Sequence, residues 1–150
     1  MTTPVTPRTA DPAVSVCFTV TIDDQSLGVF NGCEGLGCEV VLEQREEGGN
    51  NAFVWQLPSR VKYSTIKLSR PVTRESAQIA RWISSVVTGV GEKTGCIKAL
   101  TLDGDLVAQW DLLDVVPVRW SGPSLSPDSP KVATETIEIA HHGFLPPSGR

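Results

Sequence analysis

The sequence predicts a mainly β fold (β+α), an antiparallel β-sandwich or partly open barrel with one α-helix packed on it. Three observations lead there. Several short stretches alternate apolar and polar residues with the period of two that a half-buried strand requires. One stretch alone, around Trp82, has the 3.6-residue period of an amphipathic helix. Turn signals rich in Gly, Asn and Pro separate these segments. With 150 residues, 40% of them hydrophobic and 20% charged, the chain has material for one core.

Residues 1–13 contain Pro4, Pro7 and Pro12 and are expected to form a flexible arm ahead of a single domain over 14–144. The first strand is expected over 15–23, with Val16, Phe18, Val20 and Ile22 on one face, and a turn at Asp24-Gln25 leads toward Leu27 to Phe30. Gly32, Gly35 and Gly37 read as turns or a bulge, since no lysine and no strand-to-helix context accompanies them for phosphate binding. A strand over 38–45 and another over 52–57, with Phe53 and Trp55 on one face, make a long hairpin. Its tip is Glu46, Glu47, Gly48, Gly49, Asn50 and Asn51, residue types that admit turn conformations closed to most others. Pro58 is expected to stop the second strand, and residues 63–70 alternate again.

Thr73 can cap a helix whose stripe is Ile79, Trp82, Ile83 and Val86, at i, i+3, i+4 and i+7, ending near Gly89. These four are the candidate helix core. Residues 96–102 and 106–113 flank Asp103-Gly104, a two-residue hairpin turn signal. Pro117 and residues 121–130 should interrupt the sheet, and residues 132–141 supply a last strand with Ile137 and Ile139 on one face. Open antiparallel sheets leave unpaired backbone at their edges. That last strand, with Thr134, Thr136 and Glu138, is the expected edge for joining subunits, and residues 145–150 should fray.

The charge balance is 13 Lys+Arg against 17 Asp+Glu, a formal net charge of -4, without the basic surplus that nucleic-acid binding draws on. No apolar run is long enough to cross a bilayer, and the N-terminus has no apolar signal core. Cys17, Cys33, Cys38 and Cys96 read as free thiols in or near the core, without zinc-finger spacing. His141 and His142, adjacent on a strand, would face opposite ways and share no metal. A Cys96–His141 nucleophile pair and paired carboxylates drawn from Glu46 and Glu47 with Glu43 have no supporting pattern. The four Trp read as core or interface residues. No enzyme chemistry, cofactor or metal is expected.

The ordered series Phe18-Thr-Val-Thr-Ile-Asp, Leu27-Gly-Val-Phe, Cys33-Glu-Gly-Leu, Arg45-Glu-Glu-Gly-Gly-Asn, Lys67-Leu-Ser-Arg, the Trp82 helix, Pro117-Val-Arg-Trp, Glu135-Thr-Ile-Glu-Ile-Ala and Ala140-His-His-Gly-Phe spans most of the chain. It resembles the inner tube protein of contractile bacteriophage tails and of the related extracellular contractile injection systems. The sequence departs from that pattern at Ser59-Arg60 and Pro71, where members often carry Gly. The resemblance implies a structural subunit, six of which form a ring whose sheets join into one continuous barrel, with rings stacked into a hollow tube. It also implies a contractile sheath, baseplate or hub and tube-initiator proteins as partners, a lumen able to hold a cargo protein, and assembly in the bacterial cytoplasm with release by lysis. A tube-initiator paralogue at the baseplate would look the same in sequence, and a non-assembling β-sandwich binding module is the alternative from another class. The tip 46–51 is the expected ring-stacking contact, its two Glu pairing with basic groups such as Arg45, Arg60 or Lys62 on a neighbour.

Overall fold

The structure is a computed structural model that describes residues 17–46, 48–49, 52–89, 93–124, 126–128 and 132–146. The arm 1–13 and the tail beyond Pro146 lie outside the described residues. Among those described, the order is β1 (Cys17–Ile22), β2 (Gln25–Phe30), β3 (Gly32–Glu34), β4 (Cys38–Arg45), β5 (Trp55–Tyr63), β6 (Ile66–Pro71), α1 (Ser76–Thr88), β7 (Gly95–Leu100), β8 (Leu106–Leu113), β9 (Val116–Ser121), β10 (Thr134–Ala140) and β11 (Gly143–Leu145). A five-stranded sheet runs β11-β8-β7-β1-β2, a four-stranded sheet runs β3-β6-β10-β9, and β4 pairs with β5 alone. All pairings are antiparallel, and neither sheet closes into a barrel.

One core lies among the sheets and the helix. Val20, Ile22 and Ile97 come from the first sheet, Leu68, Ile137 and Ile139 from the second, and Ile79 and Trp82 from α1, all essentially without solvent contact. Ile83 and Val86 are half-buried against the same cluster, as the helical stripe requires. The helix starts later than a Thr73 cap would give. The Thr73 hydroxyl accepts from the Glu75 amide at 3.2 Å, and Glu75 occupies the N-cap position with no capping side chain. At the other end the Gly89 amide donates to the Ser85 carbonyl at 2.9 Å.

Several expectations need correction. Thr134, Thr136 and Glu138 do not form an edge, because β10 enters between β6 and β9 and is paired on both sides. Last in sequence is not last in the sheet; the chain loops back after β9 and leaves β10 interior, where Ile137 and Ile139 are buried. Pro58 does not stop β5. It sits opposite Leu42 where the register shifts, and the Ser59 hydroxyl donates to the Val41 carbonyl at 2.8 Å, so the extra residue of the bulge supplies a donor there. Pro117 likewise lies inside β9, opposite Ile139 at a second register shift, on an edge strand where a missing donor is tolerated. Leu145 does not fray, being paired with Asp111 in β11. Residues 63–70 divide between β5 and β6 around Ser64-Thr65. The β7–β8 connection uses residues 101–105 rather than two, with Gly104 at φ 87° and the Thr101 amide donating to the Asp105 carbonyl at 2.9 Å.

Candidate assembly surfaces

β3 and β4 follow one another along one side of a long hairpin, β5 and β6 along the other, with Glu34 opposite Lys67 and Cys38 opposite Tyr63. The hairpin bends between these pairs. Gly35 permits the bend: its φ is 90°, and a Cβ there would fall on the Thr65 carbonyl oxygen. Beyond it, β4 and β5 form an arm whose root is held by Tyr63, its ring 5.3 Å from that of His141 and 5.7 Å from that of Phe144.

Residues directly opposite in an antiparallel pair share a face. One face of the arm therefore carries Cys38, Val40 and Leu42 with Pro58, Val61 and Tyr63. The other carries Glu39, Val41, Glu43 and Arg45 with Trp55, Leu57, Arg60 and Lys62. Val40, Leu42, Phe53, Val54, Trp55, Leu57 and Val61 are each 40–53% exposed, and Phe53 and Trp55 meet edge to face at 5.0 Å between ring centres. A two-stranded arm with this much bare apolar surface is marginal on its own and needs cover. Of the tip, Glu46, Gly48 and Gly49 are described, Gly49 at φ 96°, whereas Glu47, Asn50 and Asn51 lie outside the described residues.

Six strands carry an unpaired edge among the described residues: β11 and β2 in the five-stranded sheet, β3 and β9 in the four-stranded sheet, and β4 and β5 in the arm. β9 is anchored by a buried polar network that composition did not reveal. Arg70 and Glu135, 2% and 1% exposed, are joined by Nε to Oε1 at 2.7 Å. Arg70 also donates to the Leu27 carbonyl at 2.6 Å and the Glu75 carbonyl at 3.0 Å, with its guanidinium 4.4 Å from the centre of the Phe30 ring. Glu135 also accepts from the Ser76 hydroxyl at 2.8 Å and from Trp120 Nε1 at 3.1 Å, tying the start of α1 and the β9 edge to β10. Burial alone would raise the Glu135 carboxyl; the hydrogen bonds from Arg70, Ser76 and Trp120 and the Arg70 charge outweigh it and hold the group below its ordinary range. The alternation in Glu135-Thr-Ile-Glu-Ile-Ala, which puts Glu135 on the same face as Ile137 and Ile139, was the one available signal.

Among the described residues Cys96 and His141 have separate partners, and Glu47 of the acidic set lies outside them. Cys96 lies opposite Asp111, and burial, together with that carboxylate, pushes its thiol up to about 11, the reverse of an activated nucleophile. His141 is buried just past β10, its Nδ1 3.3 Å from the Gly143 backbone, whereas His142 points out to Asp114 at 3.2 Å. All four cysteines are free; Cys33 packs on the core, and Cys38 is exposed on the arm, contrary to expectation. Among the described residues no group of three or more His, Cys, Asp or Glu could hold a metal ion, and no helix is long and apolar enough to cross a membrane.

Open sheet edges and an uncovered apolar arm define a structural β subunit shaped to join other chains. The sequence matches the family of T4-like virus tail tube protein gp19 over residues 14–145. The chain belongs to that tail tube family. Its fold is similar to a chain in the cryo-EM structure of the PVC extracellular contractile injection system sheath–tube complex in the extended state, with TM-score 0.75 and 21% identity, covering 91% of this chain and 92% of that one. A chain in the six-fold symmetrised baseplate of the anti-feeding prophage gives TM-score 0.72 and 25% identity, covering 89% and 94%. A chain in the PVC sheath/tube terminator gives 0.73 and 22%, covering 89% and 95%. No curated protein matches the sequence.

Proposed function

We propose that this tube protein forms six-membered rings, that the rings stack into a hollow tube, and that the tube sits inside a contractile sheath on a baseplate. The observation that carries this is the β4–β5 arm: seven large apolar side chains half-exposed on its two strands and the residues leading into β5, in a chain of the tail tube family. A neighbouring copy supplies the cover the arm lacks. The sheath–tube and six-fold baseplate structures with the same fold support the sheath and baseplate as partners and the ring size. A lumen cargo, assembly in the bacterial cytoplasm and the absence of catalysis follow from the same reading.

The tip 46–51 contacts the adjacent ring in this reading, because an arm that leaves the body at the Gly35 bend presents its end, two glycines and all, away from the core. Size-exclusion chromatography and negative-stain electron microscopy of the purified chain test the proposal. Rings or tubes are expected, and a small, closed particle under all conditions would overturn it. Replacing residues 46–51 by Asn-Gly should leave rings but shorten or abolish tubes; tubes of normal length would remove the tip from the stacking contact.

A further inference from the structure

The outer face of the four-stranded sheet carries a row of charges in direct register across all four strands. Glu34 on β3 stands opposite Lys67 on β6, Lys67 opposite Glu138 on β10, and Glu138 opposite Arg119 on β9. The signs alternate from edge to edge, and the central pair is close, Lys67 Nζ lying 3.6 Å from Glu138 Oε1. The two ends are open. Glu34 and Arg119 are exposed and form no ion pair among the described residues. The next row on the same face, Gly32, Ser69, Thr136 and Ser121, carries no charge.

We propose that the occupant of these two edges is a second copy of this chain, with Arg119 on β9 of one subunit facing Glu34 on β3 of the next. The inference rests on the tube reading and specifies its ring joint. Charge complementarity between the row's ends argues for it, because the alternation of signs continues unbroken across such a joint. Strand direction agrees. Four strands that alternate in direction leave β9 antiparallel to β3, so a copy set beside the first in the same orientation continues the antiparallel ladder. Joints of this head-to-tail kind close into rings when the rotation between neighbours closes, as the tube reading requires. The same charges act against the wrong joints: β9 on β9 in register sets Arg119 against Arg119, and β3 on β3 sets Glu34 against Glu34. A slip of two residues sets Arg119 in the uncharged row, and a slip of one turns every side chain to the other face.

The test uses Arg119→Glu and Glu34→Arg, each purified alone and then mixed in equal amounts. Alone, each chain carries the same sign at both edges, and rings should be lost to smaller species. Mixed, every joint between unlike chains regains opposite signs, and rings of alternating composition should return. Circular-dichroism melts check that each variant is folded, since each substitution also sets a like charge beside Glu138 or Lys67. Should a reversal fail to fold, Arg119→Gln with Glu34→Gln should weaken the salt dependence of ring formation. Single reversals that form rings as the parent does, a folded mixture that stays small, or an unchanged salt dependence of the doubly neutral chain would overturn the pairing. Rings from the parent chain beside any of these results would leave the tube reading standing, whereas a parent that never forms rings would remove both.

Discussion

Glu135→Gln keeps the shape of the side chain and removes its charge, leaving the Arg70 guanidinium in the core without its main counter-ion. Arg70 is 2% exposed, and its remaining acidic neighbour, Glu75, lies 3.5 Å away on a side chain that is itself 46% exposed. Breaking one side of a buried pair costs roughly 3–5 kcal/mol, because the other charge stays buried and uncompensated. For a domain of this size about 2–4 °C of Tm accompanies each kcal/mol, which gives a fall of about 6–20 °C. Circular-dichroism melts at pH 7, under conditions where both chains run as monomers, measure it. A fall under about 2 °C would refute the view that this pair holds β9, β10 and the helix start together. The sign with pH follows from the same geometry. A carboxyl held below its ordinary range contributes its full stability above the unfolded value of about 4.3 and loses it as pH falls through the folded value, so the gap between parent and variant should close in acid.

Trp82→Ala removes a side chain with no solvent contact from the core, and a loss of about 3–5 kcal/mol is expected in the same melts; an unchanged midpoint would place the helix stripe elsewhere. Gly35→Ala puts a Cβ onto the Thr65 carbonyl at positive φ, so melts should show a loss of about 1–3 kcal/mol and electron microscopy fewer rings, while parent-like behaviour would show that the bend needs no glycine. His141, buried beside Tyr63 and Phe144, is held below its ordinary range by burial, against which its Gly143 hydrogen bond acts only partly, and by His142. The unfolded chain then takes up a proton near pH 6.5 that the folded chain refuses, so stability should decline as pH falls below about 6.5. His141→Phe should flatten that decline; an equal slope in the variant would assign it to other groups.

What the sequence disclosed depended on whether a feature is local. The alternation in residues 17–22, the stripe of Ile79, Trp82, Ile83 and Val86, and the glycine-tipped hairpin are properties of neighbouring residues and were legible. Sheet order is not local, which is why the sequence suggests an edge at β10 when that strand is paired on both sides. Thr136→Pro accordingly should disrupt folding instead of a joint between subunits. β3 and β11, three residues each, are too short to show a period, and β9 was hidden by Pro117 until the bulge explained it. Arg70 and Glu135 do not stand out in the sequence as core residues, because charge ordinarily means solvent; only the pairing of β6 with β10, which sets them opposite one another, brings them together in the core. For the assembly surfaces, the arm was visible and its two faces were not, since the bulge at Ser59 decides which residues lie together.

In the tube proposed above, rings are joined through the edges of the four-stranded sheet. A cryo-EM reconstruction of the particles formed by the purified chain tests it most directly. The predicted map shows six subunits around a lumen, β9 of each hydrogen-bonded to β3 of the next in one continuous antiparallel barrel, and the β4–β5 arm covered by a neighbour. Rings joined through β2 and β11 with β3 and β9 unpaired, or a particle with no ring at all, would contradict it.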